Sequence, residues 1–160
     1  MNERVGLGFD VHRLEEGRPC ILGGITIDHP TGPAGHSDGD AVLHAIIDAL
    51  TGAAGLDDVG TLFPDTDGAW KGADSAQLLE AVVEKIRAAG FQVGNVDVVI
   101  ATEGPRIAPI RAAMRERIGA LLEVDVSAVN VKGKTLEGLG ALAEGRGVAV
   151  QAICLLRGRE

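Results

Sequence analysis

The spacing of hydrophobic positions changes repeatedly along the chain, and each change predicts an element. Residues 4–9 alternate weakly and run into Asp10-Val11-His12, the pattern of a strand that ends at a polar group. A second apolar run, Cys20–Ile27, is broken by Gly23-Gly24. The period then lengthens. Leu43, Ile47, Leu50 and Ala54 form one helical stripe, predicting a helix over 38–54 with a capping box from Ser37 to Asp40 at its start. Residues 56–73 lose all periodicity and carry turn residues (Asp-Asp-Val-Gly, then Phe-Pro-Asp-Thr-Asp-Gly). A loop this long inside a compact domain is functional or disordered, and here a lid is expected. Asp74, with Gln77 three residues on, opens a helix through Ala89 that Gly90 stops. Val93–Thr102 reads as a strand. After Pro105 the stripe Ile107, Ile110, Met114, Ile118, Leu121 predicts a helix through Leu122, and Val129–Lys132 and Val148–Leu156 close the chain as strands. This order predicts an α+β fold: a small two-layer sandwich, helices on one face of a mixed four-stranded sheet (ferredoxin-like), in a single domain over 1–160.

Composition narrows the partners. A 160-residue chain buries about 70% of the surface its unfolded form exposes, so it needs no disulfides. Cys20 and Cys154 lie inside apolar runs and read as buried thiols of a reducing compartment. No apolar stretch is long enough to span a membrane, and Met-Asn-Glu-Arg does not resemble a secretory leader, so a cytoplasmic protein is expected. The net charge of −8 argues against a nucleic-acid partner. With no Tyr, one Trp and three Phe, base-stacking platforms are not expected either. A small anionic ligand remains compatible, provided metal ions neutralise it locally.

The candidate chemistry centres on Asp10, His12 and His44. Residues two apart in a strand point the same way, so Asp10 and His12 share a face, and His44 joins them from the first helix. Asp, His and His are good zinc ligands, and three of them leave a fourth position open. An Asp-x-His pair alone is more often a turn or a surface pair. The polar stripe Asp40, His44, Asp48 strengthens the metal reading, because Asp40 or Asp48 is placed to hold the second nitrogen of a ligating histidine. His36-Ser37 stands just before the helix, where an N-terminus favours a phosphate; the plain alternative is an N-cap by Ser37 with a solvated His36. Gly133-Lys134-Thr135 and Gly138-Leu139-Gly140 match phosphate-loop and dinucleotide fingerprints only weakly, since each lacks its required context.

Taken together, Gly8-Phe-Asp-Val-His12, His36-Ser-Asp-Gly-Asp40, His44, Asp58-Val-Gly60, Phe63-Pro-Asp-Thr-Asp67, Lys71-Gly-Ala-Asp-Ser75 and Gly94-Asn-Val-Asp97 closely resemble the 2-C-methyl-D-erythritol 2,4-cyclodiphosphate synthase family. The segments run in family order and span nearly the whole chain. The resemblance implies a homotrimer with active sites between subunits. It implies a CDP-linked substrate, 4-diphosphocytidyl-2-C-methyl-D-erythritol 2-phosphate, converted to the cyclic diphosphate and CMP. It places zinc on Asp10, His12 and His44, and a second ion, magnesium or manganese, on Glu137 and the substrate phosphates. His36 and Thr135 match positions that help hold the transition state, with Ser37 beside them on the substrate. Asp58, Gly60, Phe63, Pro64, Asp65, Thr66 and Asp67 would hold the methylerythritol end. Thr102, Pro105, Arg106, Ile107 and Ala108 of a neighbouring subunit would hold cytidine. The chain departs from the family where Ala-Thr-Thr-Thr-Glu is usual: it has Gly133-Lys134-Thr135-Leu136-Glu137, which puts Lys134 near the nucleotide phosphates. Pro105-Arg106 stands for the usual Pro-Lys. Two other readings of the same residues are a metal-dependent nucleotide phosphodiesterase and a non-catalytic nucleotide-binding trimer.

Overall fold

The computed structural model of the protein describes residues 2–64, 66–68 and 72–159; Asp65 and Lys71 fall outside them. The first strand, β1 (Glu3–Glu16), is longer than its weak alternation suggested because it pairs antiparallel with the last strand, β7 (Gly147–Gly158), from Glu3 opposite Arg157 to Arg13 opposite Gly147. β7 pairs antiparallel with β5 (Phe91–Ala101) on its other side, and β5 pairs parallel with β6 (Val129–Lys134). These four strands are the expected mixed sheet. A fifth, β4 (Thr31–Pro33), pairs with the end of β1, so the order is β4-β1-β7-β5-β6. The expected count of four is thus one short. Three residues carry too little periodicity to be read as a strand, and β4 exists because β1 overruns β7 and offers its edge. The Cys20–Ile27 run does not enter this sheet. It folds as a hairpin, β2 (Cys20–Leu22) and β3 (Ile25–Ile27), about Gly23-Gly24.

Three long helices cover one face: α1 (Ala41–Ala54), α3 (Ser75–Ala88) and α4 (Arg111–Leu122). Between the first two lies a single turn, α2 (Val59–Leu62), inside the stretch expected to be all loop. Its cap, Asp58, accepts from the Thr61 amide, and the Val59 amide donates to Asp48 of α1. The predicted stripes are the buried ones. Leu43, Ile47 and Leu50 of α1 and Met114 and Ile118 of α4 are fully buried. Pro105 begins a turn, as expected, and this turn runs to Ile110, so Ile107 and Ile110 of the predicted stripe precede α4 rather than lie within it.

Every second residue of β1 explains how α1 reaches the sheet. Gly6, Gly8, Asp10 and His12 face the helices, while Val5, Leu7, Phe9 and Val11 face away and stay exposed. A Cβ on Gly8 would lie 1.8 Å from the Ala45 carbonyl oxygen, and one on Gly6 would lie 1.8 Å from that of Ala49. The two glycines therefore let the helix backbone rest directly on the strand. Ala45 and Ala49 occupy one helical row above them, and His44 is delivered above Asp10 at the same close range.

Candidate metal centre and active site

Three side chains converge where the end of β1 meets the start of α1. His12 Nε2 lies 2.7 Å and His44 Nδ1 3.1 Å from the same Asp10 oxygen, Oδ2. One ligand atom from each of Asp10, His12 and His44 falls within 4.8 Å of the others. The outer partners decide which nitrogens carry protons. His12 Nδ1–H donates to the Ala34 carbonyl, which can only accept, so the lone pair of His12 sits on Nε2 and points inward. Ser75 donates its hydroxyl proton to Asp38, which leaves the Ser75 oxygen to accept from His44 Nε2–H at 2.9 Å. The lone pair of His44 is then on Nδ1, also facing inward. Two imidazole lone pairs and a carboxylate oxygen thus meet at one point, an arrangement that suits a cation and is held by orienting partners of the kind that fix metal ligands. Residues Asp10, His12 and His44 can therefore hold a metal ion.

The electrostatics agree. Burial alone would raise the Asp10 pKa, but hydrogen bonds and charge from His12 and His44 outweigh it and hold the carboxyl at about 2. Without a cation a proton takes its place on His12 Nε2, and the hydrogen bond it then makes to Asp10 raises His12 above its ordinary 6.5, against the opposing effect of burial.

Two expectations about this site need correction. Neither Asp40 nor Asp48 holds His44. Asp40 is completely buried and accepts from the amides of Gly23, Gly24, Val42 and Leu43, so it caps α1 and ties the β2–β3 turn to it. Asp48 accepts from Val59. The orienting role falls to Ser75 and Asp38. They sit far apart in sequence and escape any periodicity argument, although Asp38 and Ser75 each fall in one of the quoted segments. The second correction concerns Ser37, which is not the cap. α1 begins at Ala41, so His36 and Ser37 precede it by about a turn, and the amides at the helix start are taken by Asp40 rather than left for an anion. Ser37 Oγ instead lies 3.3 Å from His44 Nε2.

The metal-binding group opens into a cavity of about 340 Å³ that His36, Ser37, Gly60 and Phe63 also line. Val59, Leu78, Ala34 and Gly35 complete its wall, and none of these four was singled out by sequence reasoning. Pro64, Thr66 and Asp67 follow directly after α2; Asp58 is its cap and points into the turn.

The remaining predicted residues gather elsewhere. Thr102, Pro105, Arg106, Ile107, Ala108, Lys134 and Thr135 line a second cavity of about 310 Å³, with Glu103, Arg111 and Gly133, and it shares no residue with the first. Thr102 is buried, and its hydroxyl donates to the Gly104 carbonyl, so it shapes this wall from behind. Glu137 follows on the exposed loop after β6 in a left-handed conformation, with Thr135 Oγ1 3.5 Å from its carboxylate. A single chain therefore carries two distinct cavities, one with a group that can hold a metal ion and one rich in cations.

Comparison with known proteins bears on what these cavities serve. The chain is 54% identical, over 99% of its own length and 98% of the other, to the 2-C-methyl-D-erythritol 2,4-cyclodiphosphate synthase of Laribacter hongkongensis. Among solved structures, a CDP-bound 2C-methyl-D-erythritol-2,4-cyclodiphosphate synthase superposes with a TM-score of 0.89 at 39% identity, over 96% of this chain and all of the other. The bifunctional IspDF of Campylobacter jejuni superposes with a TM-score of 0.95 at 38% identity over 99% of this chain, which spans 43% of that longer protein. The family pattern described as YgbB matches residues 3–157, so the chain belongs to the YgbB family.

Proposed function

We propose that this protein is a 2-C-methyl-D-erythritol 2,4-cyclodiphosphate synthase of the non-mevalonate isoprenoid route, a phosphorus–oxygen lyase. It converts 4-diphosphocytidyl-2-C-methyl-D-erythritol 2-phosphate to the cyclic diphosphate and CMP. The observation that carries the reading is the inward-facing Asp10–His12–His44 donor set, in a chain more than half identical along its length to proteins bearing that name.

In this reaction the attacking atom is an oxygen of the 2-phosphate, already anionic, so no strong general base is required. It forms a bond to the β phosphorus of the CDP group as the bond from that phosphorus to the bridging oxygen breaks, and CMP leaves with the electron pair. The barrier is the approach of one anion to another. Zinc at Asp10, His12 and His44, and magnesium or manganese at Glu137, would supply positive charge and Lewis acidity to the phosphates when bound. The protein's own part is placement. His36 and Ser37, at the mouth of the metal-binding cavity, and Thr135 and Lys134, in the cationic one, are donors for phosphate oxygens. Asp58, Gly60 and the Phe63–Asp67 segment hold the methylerythritol end. Thr102 to Ala108, with Arg106, hold the cytidine end. Fixing both ends of one substrate makes the closure intramolecular, and covering it by the segment after α2 excludes the competing water.

The assembly we propose is a homotrimer with the sites between subunits, in which a second copy supplies one of the two cavities. The bare sheet face supports this: Val5, Leu7, Phe9, Val11 and Ile153 are all exposed, Leu7 at 64%, on the side away from the helices. Phosphorus NMR of the zinc- and magnesium-loaded protein with its substrate tests the reaction. A ring diphosphate plus CMP is expected; a linear phosphate product would favour a phosphodiesterase.

A further inference from the structure

Glu103 is unexplained by the reaction. It lines a cavity whose other charged groups, Arg106, Arg111 and Lys134, are all cations, and a carboxylate there opposes the binding of a phosphate. Its position accounts for it. β5 and β6 run parallel, and their last paired residues are Ala101 and Lys134. One more backbone bond follows, from the Thr102 amide to the Lys134 carbonyl at 3.0 Å, and both chains then leave the sheet. The next donor on the departing β6 segment is the Leu136 amide, and it donates to Glu103 Oε1 at 2.7 Å. The side chain thus continues the ladder by one rung after the backbones have parted. Thr135 is left between two fixed points, the Lys134 carbonyl and the Leu136 amide. The opposite wall is set by contact: a Cβ on Gly133 would lie 2.7 Å from the Ile107 Cβ, so Ile107 rests directly on the β6 backbone.

We infer that Glu103 is a positioning residue, whose carboxylate clamps the Leu136 amide and thereby holds Thr135 and Glu137 where the phosphates and the second metal ion must be met. This inference rests on the functional reading given above. A charge-assisted hydrogen bond to a backbone amide is a strong clamp on an otherwise exposed loop. The role needs an acceptor and not a charge, and that distinction makes it testable.

The test compares Glu103→Ala with Glu103→Gln in the zinc-loaded protein. Glu103→Ala removes the acceptor, and because a misplacement of about 1 Å can cost about 100-fold in rate, kcat should fall roughly 10- to 100-fold. The magnesium concentration for half-maximal rate should rise with it. The KM for the CDP-linked substrate should move less than about threefold, since Ile107 still rests on the Gly133 backbone and keeps the cytidine-holding residues in place when the Glu103 carboxylate is removed. Glu103→Gln keeps an acceptor and should restore most of the loss. Hydrogen exchange of the Leu136 amide, which needs no turnover, should be fast in Glu103→Ala and slow in both Glu103→Gln and the wild type. An unchanged kcat and magnesium dependence in Glu103→Ala, or a Glu103→Gln as impaired as the alanine variant, would overturn the inference. A wild-type protein that forms no cyclic product would instead overturn the functional reading, with the clamp still judged by the Leu136 exchange and by manganese affinity in the presence of CDP.

Discussion

The metal-binding group shows how much depends on partners that do not touch the metal. His44 brings its inward nitrogen to bear because Ser75, held by Asp38, accepts a hydrogen bond from the N–H of the outer one. Substituting Ser75→Ala should lower zinc affinity about 10- to 100-fold while the fold persists, since outer partners of ligating histidines contribute to that extent. Zinc titration against a competing chelator checks it, and an unchanged affinity would show that Ser37 suffices. His44→Ala should lose both zinc and turnover yet unfold at nearly the wild-type temperature, because His44 lies beside the apolar stripe and not within it; full activity without zinc would contradict the assignment. The protonation of the metal-free group makes a separate prediction. His12 is raised above 6.5 by Asp10, and a histidine with a raised folded-state pKa contributes stability that is fully present below its unfolded value and lost as pH rises through the folded one. The chelated protein should therefore resist denaturant better at a pH below 6.5 than at a pH above the raised His12 value, whereas the zinc-loaded protein, in which the cation replaces the proton, should show no such loss. Urea melts at the two pH values decide it.

At the scale of elements, the contact between β1 and α1 sets the site. Gly8 lies under the Ala45 carbonyl, so Gly8→Ala forces the helix outward and should destabilise the protein by about 1–3 kcal/mol or more. It should also weaken zinc binding, because His44 rides on the displaced turn. A thermal melt together with a zinc titration would expose a variant that loses one property without the other. This contact also marks the limit of what sequence conveys. The alternation of β1 correctly put Asp10 and His12 on one face, and the helical stripes read for α1 and α4 proved to be their buried faces. The cap of α1 was misplaced by three residues because Ser37, Asp38 and Asp40 are all competent caps, and only tertiary structure shows which carboxylate the Gly23-Gly24 amides also need. The strand β4 and the turn α2 were missed because elements of three or four residues owe their form to neighbours, here the free edge of β1 and the Asp48 carboxylate. Glu103 carried no signal at all. Its role depends on where two parallel strands part, which no local pattern records.

At the scale of the molecule, both cavities are lined by residues quoted from the sequence, but the two share no residue. The proposed trimer reconciles this. In a closed ring each subunit presents its metal-binding end to one neighbour and its cationic end to the other. A charge on the bare face, as in Leu7→Glu, should give soluble monomers with an intact metal group and no turnover; sedimentation of that variant would show otherwise if the face is not an interface. The most direct test of the whole account is complementation between two inactive variants, His44→Ala, which lacks the metal-binding end, and Glu137→Ala, which lacks the second metal ligand. Each alone should form no cyclic diphosphate. Unfolded together and refolded as mixed trimers at equal amounts, they should recover cyclic product by phosphorus NMR, with about a quarter of the sites built from two intact ends. Mixed trimers that remain inactive would contradict a site shared between subunits, and a recovered activity that yields only linear product would contradict the cyclisation.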